Sequence, residues 1–165
     1  NEEYGSNNMI YFAYTDTSGT TKYTYISQAD MLAAKEANGD ISALAQTVKL
    51  CGDELTIYSG NDDQITAFMS LGAKGVVSVL SNIAPRAVHD MVKMYLDGDT
   101  AASTELQLKY LDLCSSLFSD VNPIPVKEAM NMMGMEVGSC RLPLAQIQPQ
   151  AKEKLRRSLS ALGMI

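Results

Sequence analysis

Hydrophobic positions along this chain change their spacing twice, and each change predicts a different architecture. Met9-Ile10-Tyr11-Phe12-Ala13-Tyr14-Thr15 and Lys22-Tyr23-Thr24-Tyr25-Ile26 are dense in β-branched and aromatic side chains, the composition of strands. Asp16-Thr17-Ser18-Gly19-Thr20 between them is turn material. Residues 1–30 therefore read as an N-terminal β-hairpin extension with a polar, frayed start over residues 1–8. A hairpin this rich in tyrosine is either a binding surface or a sheet edge packed on its neighbours.

From Met31 short apolar runs alternate with helical spacing. Leu32-Ala33-Ala34-Lys35-Glu36-Ala37, stopped by Asn38-Gly39-Asp40, reads as a strand buried on both faces. Ile41, Leu44, Ala45 and Val48 then share one face of a helix over residues 41–50, with Asp40 as its N-cap. Leu55-Thr56-Ile57-Tyr58 is a second strand, followed by Ser59-Gly60-Asn61-Asp62-Asp63 and a helix carrying Ile65, Phe68, Met69 and Leu71 that Gly72 ends. Gly75-Val76-Val77-Ser78-Val79-Leu80 predicts a third strand, and Pro85 opens a helix reaching Leu96. A βαβαβα run implies three parallel strands with right-handed crossovers, an α/β domain over residues 31–98. Residues 99–165 read as all-helical, a C-terminal helical bundle, with helices over 101–118, 126–133 and 148–162. Leu106, Tyr110, Leu113 and Leu117 lie at helical spacing in the first of these, and the methionines read as core filler.

Composition narrows the function classes. The net charge is -6, so the basic face that phosphate binding needs is missing and a nucleic-acid partner is excluded. No apolar run reaches membrane-spanning length and no signal peptide opens the sequence, which points away from a membrane partner and toward the cytoplasm. Cys51, Cys114 and Cys140 are odd in number and far apart, as reduced and inert thiols are. The single histidine, His89, removes most His-based metal sites and a Ser-His-Asp triad; it reads as a surface residue without a role. No metal and no cofactor is expected.

Lys35 is the residue with the most chemistry in it. It stands at the C-terminal end of its strand, the edge where α/β sheets and barrels carry their sites. A desolvated amine there loses some preference for the charged form and attacks carbonyls. The alternative is a lysine that snorkels to solvent along its packed stem. Glu36 points to the opposite face, where a helix-side ion pair suits it. Asp62 and Asp63 sit where a helix begins, and capping accounts for them without a metal.

Five segments resemble the dihydrodipicolinate synthase family of pyruvate-dependent, Schiff-base-forming lyases. They are Ala33-Ala34-Lys35-Glu36-Ala37-Asn38-Gly39-Asp40, Tyr58-Ser59-Gly60-Asn61-Asp62-Asp63, Gly75-Val76-Val77-Ser78-Val79, Asn122-Pro123-Ile124-Pro125-Val126-Lys127 and Arg141-Leu142-Pro143-Leu144. They run in order over residues 31–165 and resemble the family's C-terminal half, so the first 30 residues are expected to be unrelated or rearranged. The last two segments favour this branch over the sialate and sugar-acid aldolases. The resemblance implies a partial (half) TIM barrel and a tetramer-forming lineage. It makes Lys35 the lysine that forms a Schiff base with pyruvate before the enamine condenses with aspartate semialdehyde. It places Gly60 and Asn61 near the bound semialdehyde, and gives Val77 a backbone carbonyl facing the site.

The sequence also departs from that family. It holds neither the Gly-Thr-Thr-Gly-Glu loop for the pyruvate carboxylate nor the Tyr-Asn-Val-Pro strand with the proton-relay tyrosine. Tyr11, Tyr14, Tyr23 and Tyr25 match no such motif, so that role cannot be carried over to them. Positioning and proton transfer each supply orders of magnitude of rate, so imine chemistry is the activity to expect of this chain by itself. Three parallel strands cannot close a barrel, and their inner face and edges need cover. The hairpin adding to the sheet, self-association into a homo-oligomer, or a complementing half-barrel chain would supply it. Two functions therefore stand: a Schiff-base lyase acting on a pyruvate-like substrate, and a non-catalytic remnant or engineered fragment acting as a self-associating structural module.

Overall fold

The N-cap at Asp40 forms as its sequence position predicts. Its carboxylate accepts the Ser42 and Ala43 N–H groups at 2.8 and 3.1 Å, and helix α1 runs Ile41–Cys51. The computed structural model describes residues 9–15, 21–27 and 33–165. The frayed start over residues 1–8, the turn over 16–20 and the opening of the strand at Leu32 lie outside the described residues.

Two small sheets are present. Strands β1 (Met9–Thr15) and β2 (Thr21–Ser27) pair antiparallel, with Met9 opposite Ser27 and Thr15 opposite Thr21. Strands β3 (Ala33–Glu36) and β4 (Thr56–Ser59) pair in parallel, with Lys35 opposite Tyr58. The antiparallel pair is a sheet of its own and does not extend the parallel one, contrary to one of the covers expected from the sequence.

The third strand expected over residues 75–80 is reduced to a single parallel bridge between Ser59 and Val76. Ser59 N–H donates to the Gly75 carbonyl at 2.9 Å and Val77 N–H to the Ser59 carbonyl at 2.8 Å, so the segment does lie beside β4. It then curls into a 3₁₀ turn, Leu80–Asn82, because the Asp62 carboxylate takes the Val79 and Leu80 N–H groups that a longer ladder would need. The parallel sheet thus has two strands rather than three.

The expectation that β3 is buried on both faces is also corrected. Ala33 and Lys35 are exposed, whereas Ala34 and Glu36 are half-buried. The covered face packs Ala34, Leu55 and Ile57 against Leu44 and Val48 of α1 and Phe68 of α2 (Ile65–Ser70). Among the described residues nothing comparable covers the Lys35 face, so alternation shows as a one-sided burial pattern.

Helices α3 (Pro85–Leu96), α4 (Thr100–Leu117), α5 (Ile124–Met132) and α6 (Pro149–Ala161) enclose a second, larger core around Met91, Leu113, Leu117, Leu155 and Leu159. Each such side chain contributes about 1.5–3 kcal/mol when fully buried. Helix α4 begins one residue earlier than the spacing predicts because Asp99 caps it, accepting from Ala102 N–H at 3.1 Å. Ser116 Oγ and Ser158 Oγ share a 2.7 Å hydrogen bond between α4 and α6, and Lys154 Nζ donates to Ser115 Oγ at 2.8 Å. Among the described residues no helix is long and apolar enough to cross a membrane.

Candidate active site at the ends of the parallel strands

Lys35 leaves β3 one residue before the strand ends, and the register sets it beside Tyr58 on the open face. Its side chain is exposed, so the desolvation expected from a doubly buried strand is absent. Gly60 stands against it. The Gly60 N–H donates to the Glu36 carbonyl at 2.6 Å. A Cβ built on Gly60 would clash with the Ala37 Cβ and lie 2.8 Å from Lys35 Cε and 3.0 Å from the Glu36 carbonyl oxygen. Only a residue without a side chain lets the lysine stem lie over the end of β4.

The loops after β3 and β4 are tied together just beyond this contact. Asn61 N–H donates to Ser59 Oγ at 3.1 Å, and Gln64 Nε2 donates across to the Gly39 carbonyl at 3.2 Å. Val77, 49% exposed, flanks β4 from the other side through its bond to the Ser59 carbonyl. Lys35, Gly60, Asn61 and Val77 therefore collect at one end of three adjacent segments, although 42 residues of sequence separate the first from the last. A cleft of about 430 Å³, lined by Ala37, Asn38, Gly39, Asn61, Asp63 and Gln64 together with the C-terminal part of α4, includes Asn61 but not Lys35, Gly60 or Val77. A larger surface cleft of about 630 Å³ lies between α4 and α6 among charged side chains and includes no strand end.

The two aspartates part company. Asp63 is exposed and lines the cleft, while Asp62 is only 1% exposed. Asp62 does not cap the helix that begins with it, as its position predicts. Its Oδ2 accepts from Val79 and Leu80 N–H, both at 2.9 Å, and its carbonyl accepts from Gln107 Nε2 of α4 at 2.7 Å. Sequence reasoning missed both Asp62's partners and Gln107. Its only signal was a glutamine amid the polar face of α4, which no local rule distinguishes. Burial, aided by the charges of Asp62 and Asp63, pushes the Cys114 thiol up to about 12, consistent with the inert thiol expected there. Glu36 faces away from Lys35, but its described partner is the Asn38 N–H at 2.9 Å rather than a basic side chain. His89 is exposed beside Asp90 at 2.9 Å, and its hydrogen bond, with that of Arg86, holds the Asp90 carboxyl below the usual carboxylate range.

The Dihydrodipicolinate synthetase family matches residues 18–162 in one continuous stretch. The chain belongs to this family. A 4-hydroxy-tetrahydrodipicolinate synthase of Clostridium perfringens is 49% identical over 136 residues, which is 82% of this chain and 47% of that protein. The enzyme of the same name from Lachnoclostridium phytofermentans is 48% identical over 146 residues, 88% of this chain and 50% of its own. The crystal structure of dihydrodipicolinate synthase from Thermotoga maritima superimposes with a TM-score of 0.79 at 36% identity, covering 84% of this chain and 49% of that one. The chain spans about half the length of the curated relatives it matches. The dihydrodipicolinate synthetase match begins at Ser18, inside the segment expected to be unrelated or rearranged, and that expectation is overturned.

Proposed function

We propose that this chain carries the Schiff-base chemistry of a 4-hydroxy-tetrahydrodipicolinate synthase, joining pyruvate to aspartate semialdehyde in lysine biosynthesis, with Lys35 as the nucleophile. The observation that supports it best is the close approach of Gly60 to the Lys35 stem, at the shared end of β3, β4 and the bridged segment at Val76. The unprotonated amine adds to the pyruvate keto carbon, the former carbonyl oxygen leaves as water with both amine hydrogens, and a proton from solvent converts the imine to an iminium. Loss of a proton from the adjacent methyl group to solvent yields an enamine, whose carbon attacks the semialdehyde carbonyl while that oxygen takes a proton from solvent. Gly60 and Asn61 flank the second substrate, and the Val77 carbonyl faces the site.

In this reading residues 31–98 are an open section of a (β/α)₈ wall, with β3, β4 and the bridged segment at Val76 as consecutive staves. The antiparallel pair β1 and β2 precedes this section, and residues 99–165 form a helical bundle. The exposed face around Ala33 and Lys35 is completed by further polypeptide, a second copy or a complementing half-barrel chain. That same exposed face favours the second reading, a self-associating structural module without catalysis.

Borohydride reduction in the presence of pyruvate separates the two. Intact-mass analysis is expected to show one reduced pyruvate on the parent chain and none on Lys35→Ala. An unmodified parent chain refutes the lyase reading. Ultracentrifugation at tens of micromolar is expected to show an assembly larger than one chain.

A further inference from the structure

Asp62 is the most deeply buried charged side chain described, and helix capping does not account for it. A buried carboxylate is costly unless its oxygens are bonded. Oδ2 is bonded twice, to Val79 and Leu80 N–H, yet Oδ1 is buried with no partner among the described residues. A cap alone is supplied as well by a neutral asparagine or serine at lower desolvation cost. Here the side chain ties two separate segments together. It joins the loop that follows Gly60-Asn61 to the segment that follows Val77, while Gln107 pins its own backbone to α4. Gly60 in turn bonds the Glu36 carbonyl, next to Lys35. Three hydrogen bonds thus run from the turn after Val77, through Asp62 and Gly60, to the end of β3.

We propose that Asp62 is a positioning residue for the Lys35 chemistry: its carboxylate locks the Gly60-Asn61 loop to the 77–80 turn, so that the walls on both sides of the amine keep one spacing. The proposal rests on the Schiff-base reading above. Without the lock, the loop after β4 is free to lift from the Glu36 carbonyl, and the lysine stem loses the surface it lies on. The backbone at Val79 has φ -80°, which proline also adopts, so Val79→Pro removes one of the two N–H donors at a compatible φ.

The experiment compares the parent chain with Asp62→Ala, Val79→Pro and Ser103→Ala. The last removes the buried Ser103 Oγ bond to the Met91 carbonyl in the helical core, away from the site. Each is titrated with pyruvate under borohydride, read as the concentration giving half-modification of Lys35, with thermal unfolding measured in parallel. Asp62→Ala and Val79→Pro are expected to raise that concentration at least tenfold while remaining folded at the assay temperature. Ser103→Ala is expected to lower Tm and leave the concentration within twofold. If one of the two site variants does not fold, the other decides. Parent-like modification of a folded Asp62→Ala or Val79→Pro overturns the proposal, as does an equal loss in Ser103→Ala at matched Tm, whereas an unmodified parent chain overturns the Schiff-base reading itself.

Discussion

The sheet end and the helical layer of this molecule are built to different standards. Around α3 to α6 the apolar side chains close on one another, with Leu113, Leu117, Leu155 and Leu159 removed from solvent. Around β3 and β4 the core has one side only: Leu44, Ile57 and Phe68 are buried behind the sheet while Ala33 and Lys35 stand in front of it uncovered. Stability in this protein is therefore concentrated where there is no proposed chemistry, and the proposed chemistry sits on a thin, half-covered wall. Active sites commonly draw on the less stable end of a structure, and a firm helical layer is what permits it here.

Substitutions that separate stability from chemistry put this contrast to work. The largest loss of stability is expected for Leu117→Ala in the helical core, about 2–5 kcal/mol by the cavity it leaves, measured by urea unfolding. Pyruvate labelling of the fraction still folded should stay at the parent level. Gly60→Ala should do the reverse. Forcing a methyl group against Ala37 and Lys35 Cε costs about 1–3 kcal/mol as overpacking, but labelling at Lys35 should disappear because the stem is displaced. Parent-like labelling of Gly60→Ala would erase the distinction between the two regions. The smallest effect is expected at the surface of α6. Arg156 and Arg157 hold the exposed Glu153 carboxyl down to about 2 from an ordinary value of 4.5. A carboxylate depressed in the folded state stabilises above its unfolded value, and that contribution fades as pH falls from about 4.5 through 2. Tm measured across that window should decline less steeply in Glu153→Gln than in the parent chain.

How far the sequence spoke for itself also differs between the regions. Local rules located most helices within a residue or two, since caps and periodicity are written in neighbouring positions: Asp40 starts α1, and Pro85 and Leu96 bound α3 as predicted. The gathering of the strand ends beside Lys35 was legible through parallel topology, because crossovers return every strand end to the same edge, whereas Gly60 and Val77 were singled out by the family resemblance. What was not legible depended on partners remote in sequence. Asp62 was expected to serve its own helix, but its acceptors' donors lie 17 and 18 residues further on. That capture also cut the third strand short, which its β-branched run Val76-Val77 gave no sign of. The exposure of Lys35 fits the snorkelling alternative, but the open face of β3 escaped prediction for a similar reason: alternation tells which residues share a face, not whether anything covers it.

The paired hydroxyls of Ser116 and Ser158, with Lys154 reaching Ser115, have a practical meaning beyond packing. They index one rod against another, so that a slip by a single helical turn would break every one of these contacts together. A spectroscopic reporter attached to the outward side of α6, at Arg157 for example, would then follow the tumbling of the whole helical slab rather than the wagging of a loose end.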